Sequence, residues 1–311
     1  VQDVLGQEYE ATTLALGHDD EGEVVATLVA RRLPEPSRKA VLYVHGFVDY
    51  FFQTHLADFY LDHGFDFYAL DLRKYGRSLR PWQTPNFVHS LSDYFPEIDE
   101  AVRIIREDHD ELIVNAHSTG GLITPLWADR VRGKGLLQGL FLNSPFFDMN
   151  VPVPLRVIGD VTSGLLRGIA PLAKLPVGVS TRYVDSLHRD YAGEWDFDLA
   201  WKPRAGFGVR AGWLAAIRRA QRRLQAGLAI DVPVLVMASG TSVRPSRKAD
   251  LTAGDAVLNV EHMVRWAPRL GEQVTVVRIE GGLHDLVLSA APVRERVFKE
   301  LTTWLGTTGL A

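Results

Sequence analysis

Between residues 40 and 142 the chain alternates short, β-branched apolar runs with segments of helical periodicity, a rhythm few folds can accommodate. Residues 40–44, 65–70, 112–116 and 140–142 read as buried strands, and 56–63, 98–105 and 122–131 read as parts of helices. Strands separated by helices need right-handed crossovers, which produce a parallel sheet covered on both faces. The alternation stops near Phe147 and resumes with a strand at 232–237, a helix at 260–270, a strand at 274–279 and a last helix at 293–305. Ahead of it, strand-like runs at 8–16 and 23–33 flank a turn-rich stretch at 17–22 and predict an antiparallel hairpin. The expectation is an α/β fold, a mostly parallel sheet of eight strands with helices on both faces. Residues 1–150 and 229–311 form its core domain, and 151–228 form an insertion between two strands.

Within this frame, Asn115-Ala116-His117-Ser118-Thr119-Gly120-Gly121 joins the strand at 112–116 to the helix that follows. Small residues two before and two after Ser118 let strand and helix pack closely while the serine takes a strained backbone conformation. Such a turn lifts the serine oxygen over the sheet and aims the Thr119 N–H at a space where an oxyanion could form. The pattern ordinarily reads Gly-x-Ser-x-Gly, and Ala116 stands in place of the first glycine.

Three features have the placement that serine chemistry requires. His45-Gly46-Phe47 leaves the carboxyl end of a parallel strand, where ligands bind, and offers the Phe47 N–H as a second oxyanion donor. The competing reading is a plain turn with His45 packed beneath it. Glu280-Gly281-Gly282-Leu283-His284-Asp285 follows the last strand, and His284 is the expected general base, since imidazole titrates near working pH. Asp285 is its neighbour, because adjacent side chains on a turn rarely face each other. A carboxylate should follow the strand at 232–237, yet Ala238-Ser239-Gly240-Thr241-Ser242 holds none. Asp255 is the expected acid, delayed by a polar excursion over 244–254, with Asp250 and Asp231 as rivals and a helix cap as its alternative role.

Composition narrows the partners. The net charge is −4 and no long basic block is present, so nucleic acid is not expected as a partner. The absence of cysteine removes disulfides, thiolate metal sites and cysteine nucleophiles together. No apolar run approaches the ~18–20 residues of a membrane span. The first seven residues carry neither a basic nor an apolar leader block, so a cytoplasmic location is expected. His55 with His63, and the acidic stretch around His109, lack ligand spacing and read as solvated helix faces, so no metal is expected.

Taken together, Tyr43-Val44-His45-Gly46, Asp71-Leu72-Arg73-Lys74-Tyr75-Gly76-Arg77-Ser78, Asn115 to Gly121 and Gly281 to Asp285 resemble the α/β-hydrolase fold. Within it they are similar to the monoacylglycerol lipase and lysophospholipase-like branch that includes the serine aminopeptidase-type hydrolases. The resemblance runs over 39–305, with 151–228 falling where that family carries a cap or lid. The family's second piece usually reads Asp-x-Arg-Gly-His-Gly-x-Ser; here Lys74 and Tyr75 replace Gly and His. The resemblance implies Ser118 as nucleophile, Asp255 as acid, His284 as base, Phe47 and Thr119 as oxyanion donors, and no cofactor.

The insertion supplies Leu165, Leu166, Ile169, Leu172, Leu175, Val177, Trp195, Trp201 and Trp213. As an apolar cap over the serine this set would favour a small ester with an apolar acyl or aromatic group. The alternative, which fits most of these residues better, is that it packs the cap onto the main domain. Arg218, Arg219, Arg222 and Arg223 recur at helical spacing and read as a solvated basic face. The expected activity is hydrolysis of carboxylic esters. An amidase or aminopeptidase on the same triad, and a non-catalytic ligand-binding protein, are the alternatives.

Overall fold

The computed structural model describes residues 1–151, 153–176, 181–244 and 250–311, and for 153–158 the backbone alone. Among these residues one sheet carries nine strands: β1 (Gln2–Asp3), β2 (Gly6–Asp19), β3 (Gly22–Arg31), β4 (Lys39–Val44), β5 (Asp66–Asp71), β6 (Glu111–His117), β7 (Gly139–Asn143), β8 (Val234–Ser239) and β9 (Val274–Ile279). Their order across the sheet is β1-β2-β3-β5-β4-β6-β7-β8-β9. The count exceeds the expected eight by β1, a two-residue edge strand that pairs with β2 and is too short to leave a periodic signal.

β2 and β3 form the predicted antiparallel hairpin, and β3 runs antiparallel to β5. From β5 across to β9 every pairing is parallel. The central strands are buried on both faces, which explains their continuous apolar runs. Helices α1 (Thr54–Asp62) and α8 (Ala291–Thr308) cover one face through Leu56, Phe59, Leu301 and Trp304. Helices α2 (Phe95–Asp108) and α3 (Gly120–Val131) cover the other through Ile98, Val102, Leu122 and the fully buried Trp127. Each large side chain buried this way contributes about 1.5–3 kcal/mol.

Between β7 and β8 the chain leaves the sheet and forms α4 (Val153–Ile169), α5 (Thr181–Leu187) and α6 (Ala211–Gln225). A separate apolar cluster joins this block to the core, with Tyr183, Leu187 and Phe197 packed among Tyr50, Phe52 and Leu288. After β8 comes α7 (Val260–Trp266), a turn shorter than expected because Pro268 converts the end into a 3₁₀ turn over Ala267–Arg269.

The insertion matches its apolar-cap reading only in part, with Leu175 and Trp213 turned to the Ser118 cavity. Leu165 and Ile169 are 66% and 84% exposed, so they do not face the core. Val177 lies outside the described residues. Arg218 does not belong to a solvated face: it is buried, held by Asp160 on α4 and by Asp148 and Gln221. His109 is likewise buried, with one ring nitrogen on the Ile105 carbonyl and the other on Asp66.

Candidate active site

The turn between β6 and α3 is tightly packed against the ends of β4 and β7. Ser118 has φ +51°, a left-handed conformation that only a tightly held turn imposes on a non-glycine residue. Two backbone hydrogen bonds hold it: the Ser118 N–H donates to the Asn143 carbonyl at the end of β7, and the Phe146 N–H donates to the Ser118 carbonyl, both at 3.0 Å. Gly120 makes the turn possible. A Cβ there would lie 2.5 Å from the carbonyl oxygens of both Val44 and His45, so any side chain would push α3 off the end of β4.

Ser118 Oγ lies 2.9 Å from His284 Nε2, and His284 Nδ1 lies 2.9 Å from Asp255 Oδ2. A carboxylate can only accept, so Nδ1 carries the imidazole proton and Nε2 is left to accept from the serine hydroxyl. Asp255 is buried and otherwise satisfied, its second oxygen accepting the Val257 and Leu258 N–H groups at 2.8 and 2.7 Å. It caps no helix, since Asn259 takes that place on α7. Of the rivals, Asp250 is exposed and accepts from Thr252, and Asp231 accepts from the Gly133 N–H. Asp285 points away from His284, to Asn143 at 2.7 Å and Gln53 at 3.1 Å.

The excursion that delays Asp255 closes on itself. The Asp255 N–H donates to the Thr241 carbonyl and the Val243 N–H donates to the Asp255 carbonyl, which returns the aspartate to the carboxyl end of β8. Residues 245–249 of that excursion lie outside the described residues.

Phe47 and Thr119 flank Ser118 on the wall of one cavity of about 620 Å³ that also exposes His284. Among the described residues neither backbone N–H donates a hydrogen bond within the chain. Gly46 lets the loop come this close: a Cβ there would stand 3.0 Å from Ser118 Cβ. His45 is packed beneath the loop, its Nδ1 on the Gly46 carbonyl and its Nε2 accepting the Leu72 N–H, and burial lowers its pKa. In the Asp71–Ser78 segment Lys74 takes φ +64° where glycine would be usual, and its ammonium pairs with Asp19 and Glu21.

Sequence reasoning missed a buried charged group beside the serine. His117 Nδ1 lies 3.3 Å from Asp49 and 4.0 Å from Asp285, and Lys202 Nζ lies 2.5 Å from the other oxygen of Asp49. Burial opposes charge on His117, yet the two carboxylates raise its pKa. Burial would also raise the Asp49 carboxyl, but Lys202 and His117 hold it well below the usual carboxylate range. Asp49 and Lys202 are 153 positions apart, and no spacing signal links them. Elsewhere, among the described residues, no group of three or more His, Asp or Glu side chains could hold a metal ion, and no helix is long and apolar enough to cross a membrane.

The fold is that of known hydrolase structures. A soluble variant of monoglyceride lipase from Saccharomyces cerevisiae, in complex with a substrate analog, superposes with a TM-score of 0.69 at 17% identity, covering 96% of this chain and 97% of that one. Paleococcus ferrophilus monoacylglycerol lipase gives 0.68 at 17% identity over 97% and 100% of the two chains. A thermophilic esterase from Thermogutta terrifontis gives 0.60 at 17% identity over 96% and 99%. No curated protein sequence matches the chain. The family model described as serine aminopeptidase, S33, matches residues 35–289, and the chain therefore belongs to that family, with the α/β-hydrolase fold.

Proposed function

We propose that the protein is a serine hydrolase of carboxylic esters bearing an apolar acyl or aromatic group. The observation that carries this reading is the hydrogen-bonded line Ser118–His284–Asp255, with the serine on a turn of positive φ at the wall of the cavity. In this reading His284 Nε2 takes the Ser118 proton as Oγ attacks the ester carbonyl carbon. Asp255 fixes the tautomer and stabilises the imidazolium. The tetrahedral oxyanion sits between the Phe47 and Thr119 N–H groups, a contribution of about 3–4 kcal/mol for one donor. The carbon–oxygen bond to the alcohol then breaks, the alcohol taking the proton from His284. Water attacks the acyl-enzyme through the same base, releasing the acid and restoring Ser118. No step calls on a cofactor.

Substrate size and polarity follow from the cavity. Its volume of about 620 Å³ suits a small molecule, and Phe47, Val48, Leu175, Val209, Trp213 and Leu214 give it an apolar wall. Residues 151–228 act as its cap, supplying Leu175, Val209, Trp213 and Leu214. Monoglyceride lipases and an esterase share the fold, which favours esters as the substrate class. An aminopeptidase would need a carboxylate free to take a substrate amine. Among the described residues the acidic side chains lining the cavity are Asp49 and Asp160, and both are engaged, by Lys202 and by Arg218.

A matched series of p-nitrophenyl esters and p-nitroanilides of two to twelve acyl carbons tests this reading. The expected result is ester turnover that is lost in Ser118→Ala, with negligible anilide cleavage. Faster cleavage of the anilides would assign the site to amides instead.

A further inference from the structure

The turn that carries Phe47 is strained, and its anchors come from the insertion. Val48 has φ +51°, a conformation that a β-branched side chain strongly disfavours, so the 45–49 turn keeps its shape only where neighbours hold it. On one side of Val48, the Phe47 ring stacks on Trp213 of α6 with centroids 4.1 Å apart. On the other side Asp49 Oδ2 meets His117 Nδ1 at 3.3 Å and the Gly46 N–H at 3.4 Å, while Oδ1 takes the Lys202 ammonium at 2.5 Å. Lys202 is 6% exposed and lies against the faces of Phe52 and Phe197, at 5.4 and 5.7 Å. Both Trp213 and Lys202 belong to the block between β7 and β8.

A buried ammonium in this place is costly, and a methionine of similar length would fill the space without desolvation. What a cation supplies is an ionised Asp49. Without it, buried Asp49 would share the His117 imidazole with Asp285, 4.0 Å from the same ring nitrogen, and burial and repulsion between the two carboxylates would favour protonation of Asp49. It would then lose its charge-assisted bonds to Gly46 and His117.

We infer that Lys202 is a positioning residue for the oxyanion site: by pairing with Asp49 it holds the strained Val48 turn so that the Phe47 N–H faces the reacting oxygen. The insertion is thereby part of the machinery that shapes the transition state, in addition to walling the cavity. This inference rests on the ester-hydrolase reading and on Phe47 as a donor. A displacement of about 1 Å in such a group can cost on the order of a hundredfold in rate.

The test compares Lys202→Met, Lys202→Arg and the charge-neutral double variant Asp49→Asn/Lys202→Met. Lys202→Met should lower kcat for p-nitrophenyl butyrate roughly ten- to a hundredfold with KM little changed. Affinity for a trifluoromethyl ketone, whose hydrate or serine adduct presents an oxyanion, should fall in parallel. Lys202→Arg should recover most of both, and the double variant should show the same loss without a stranded charge, so it decides the matter if Lys202→Met does not fold. Hydrogen–deuterium exchange of the peptide spanning 45–52 should accelerate in Lys202→Met and in the double variant but not in Lys202→Arg. Parent-like kcat and parent-like exchange in the double variant would overturn the inference, as would equal behaviour of the Met and Arg variants. The exchange arm reads the turn without turnover. Failure of the parent to take a fluorophosphonate at Ser118 would therefore sink the hydrolase reading while leaving the clamp separately decided.

Discussion

Asp255 Oδ2 sits 2.9 Å from His284 Nδ1, although β8 ends at Ser239 and the aspartate comes 16 residues later in the chain. The intervening excursion returns to the strand end through the Thr241, Val243 and Asp255 backbone bonds, so the carboxylate occupies the position that a short loop would have given it. If Asp255 is the acid, Asp255→Asn should lower kcat by on the order of 10⁴-fold with little effect on folding, the scale seen when a serine–histidine pair loses its carboxylate. Asp250→Asn should leave kcat at the parent value, because that side chain is exposed and, among the described residues, bonds to Thr252 rather than to His284. Steady-state kinetics on the two variants checks both, and the reverse pattern would move the acid to Asp250.

The serine turn depends on Gly120 more than on Ala116. Gly120→Ala brings a methyl to 2.5 Å from two backbone carbonyl oxygens, which cannot swing aside as a side-chain tip would. The expected cost is about 1–3 kcal/mol or more, read as a lower urea midpoint at unchanged slope, together with loss of ester turnover. Ala116 is fully buried at its place in β6, and the turn forms with its methyl present.

The His117 group gives stability a defined pH dependence. His117 faces Asp49, Asp285 and, at 5.0 Å between ring centroids, His284, with Lys202 behind Asp49. Its pKa is raised on folding, so its contribution is fully present below the unfolded value of about 6.5 and is lost as pH rises through the folded value. Asp49 has the opposite sign: its depressed pKa gives stability present above about pH 4 and lost as pH falls toward the folded value. Urea unfolding from pH 4 to 9 should show the parent losing stability on the alkaline side, and His117→Asn should flatten that limb. An unchanged limb in His117→Asn would exclude this group as its source.

Most of the fold was legible because the parallel strands are buried on both faces and write themselves as continuous apolar runs, as at 40–44 and 140–142. The serine turn and His284 were legible for a similar reason, since Ser118 directly follows β6 and His284 lies on the loop that leaves β9. β1 was not, because a two-residue edge strand has no period. Arg218 and His109 read as solvated because spacing reports only which helix face a residue shares. It does not report whether Asp160 or Asp66 lies across from that face. The same limit hid Lys202 and Asp49, whose pairing is created by the folding of the insertion onto the β4–α1 loop.

The central claim is that Ser118 is a nucleophile activated by His284. Intact-mass spectrometry after exposure to a fluorophosphonate measures this most directly, with peptide mapping of the adduct. The account predicts one phosphonyl group per chain, located on Ser118, with labelling abolished in Ser118→Ala and slowed by orders of magnitude in His284→Ala. An unlabelled parent protein, or an adduct that persists in Ser118→Ala, would contradict it.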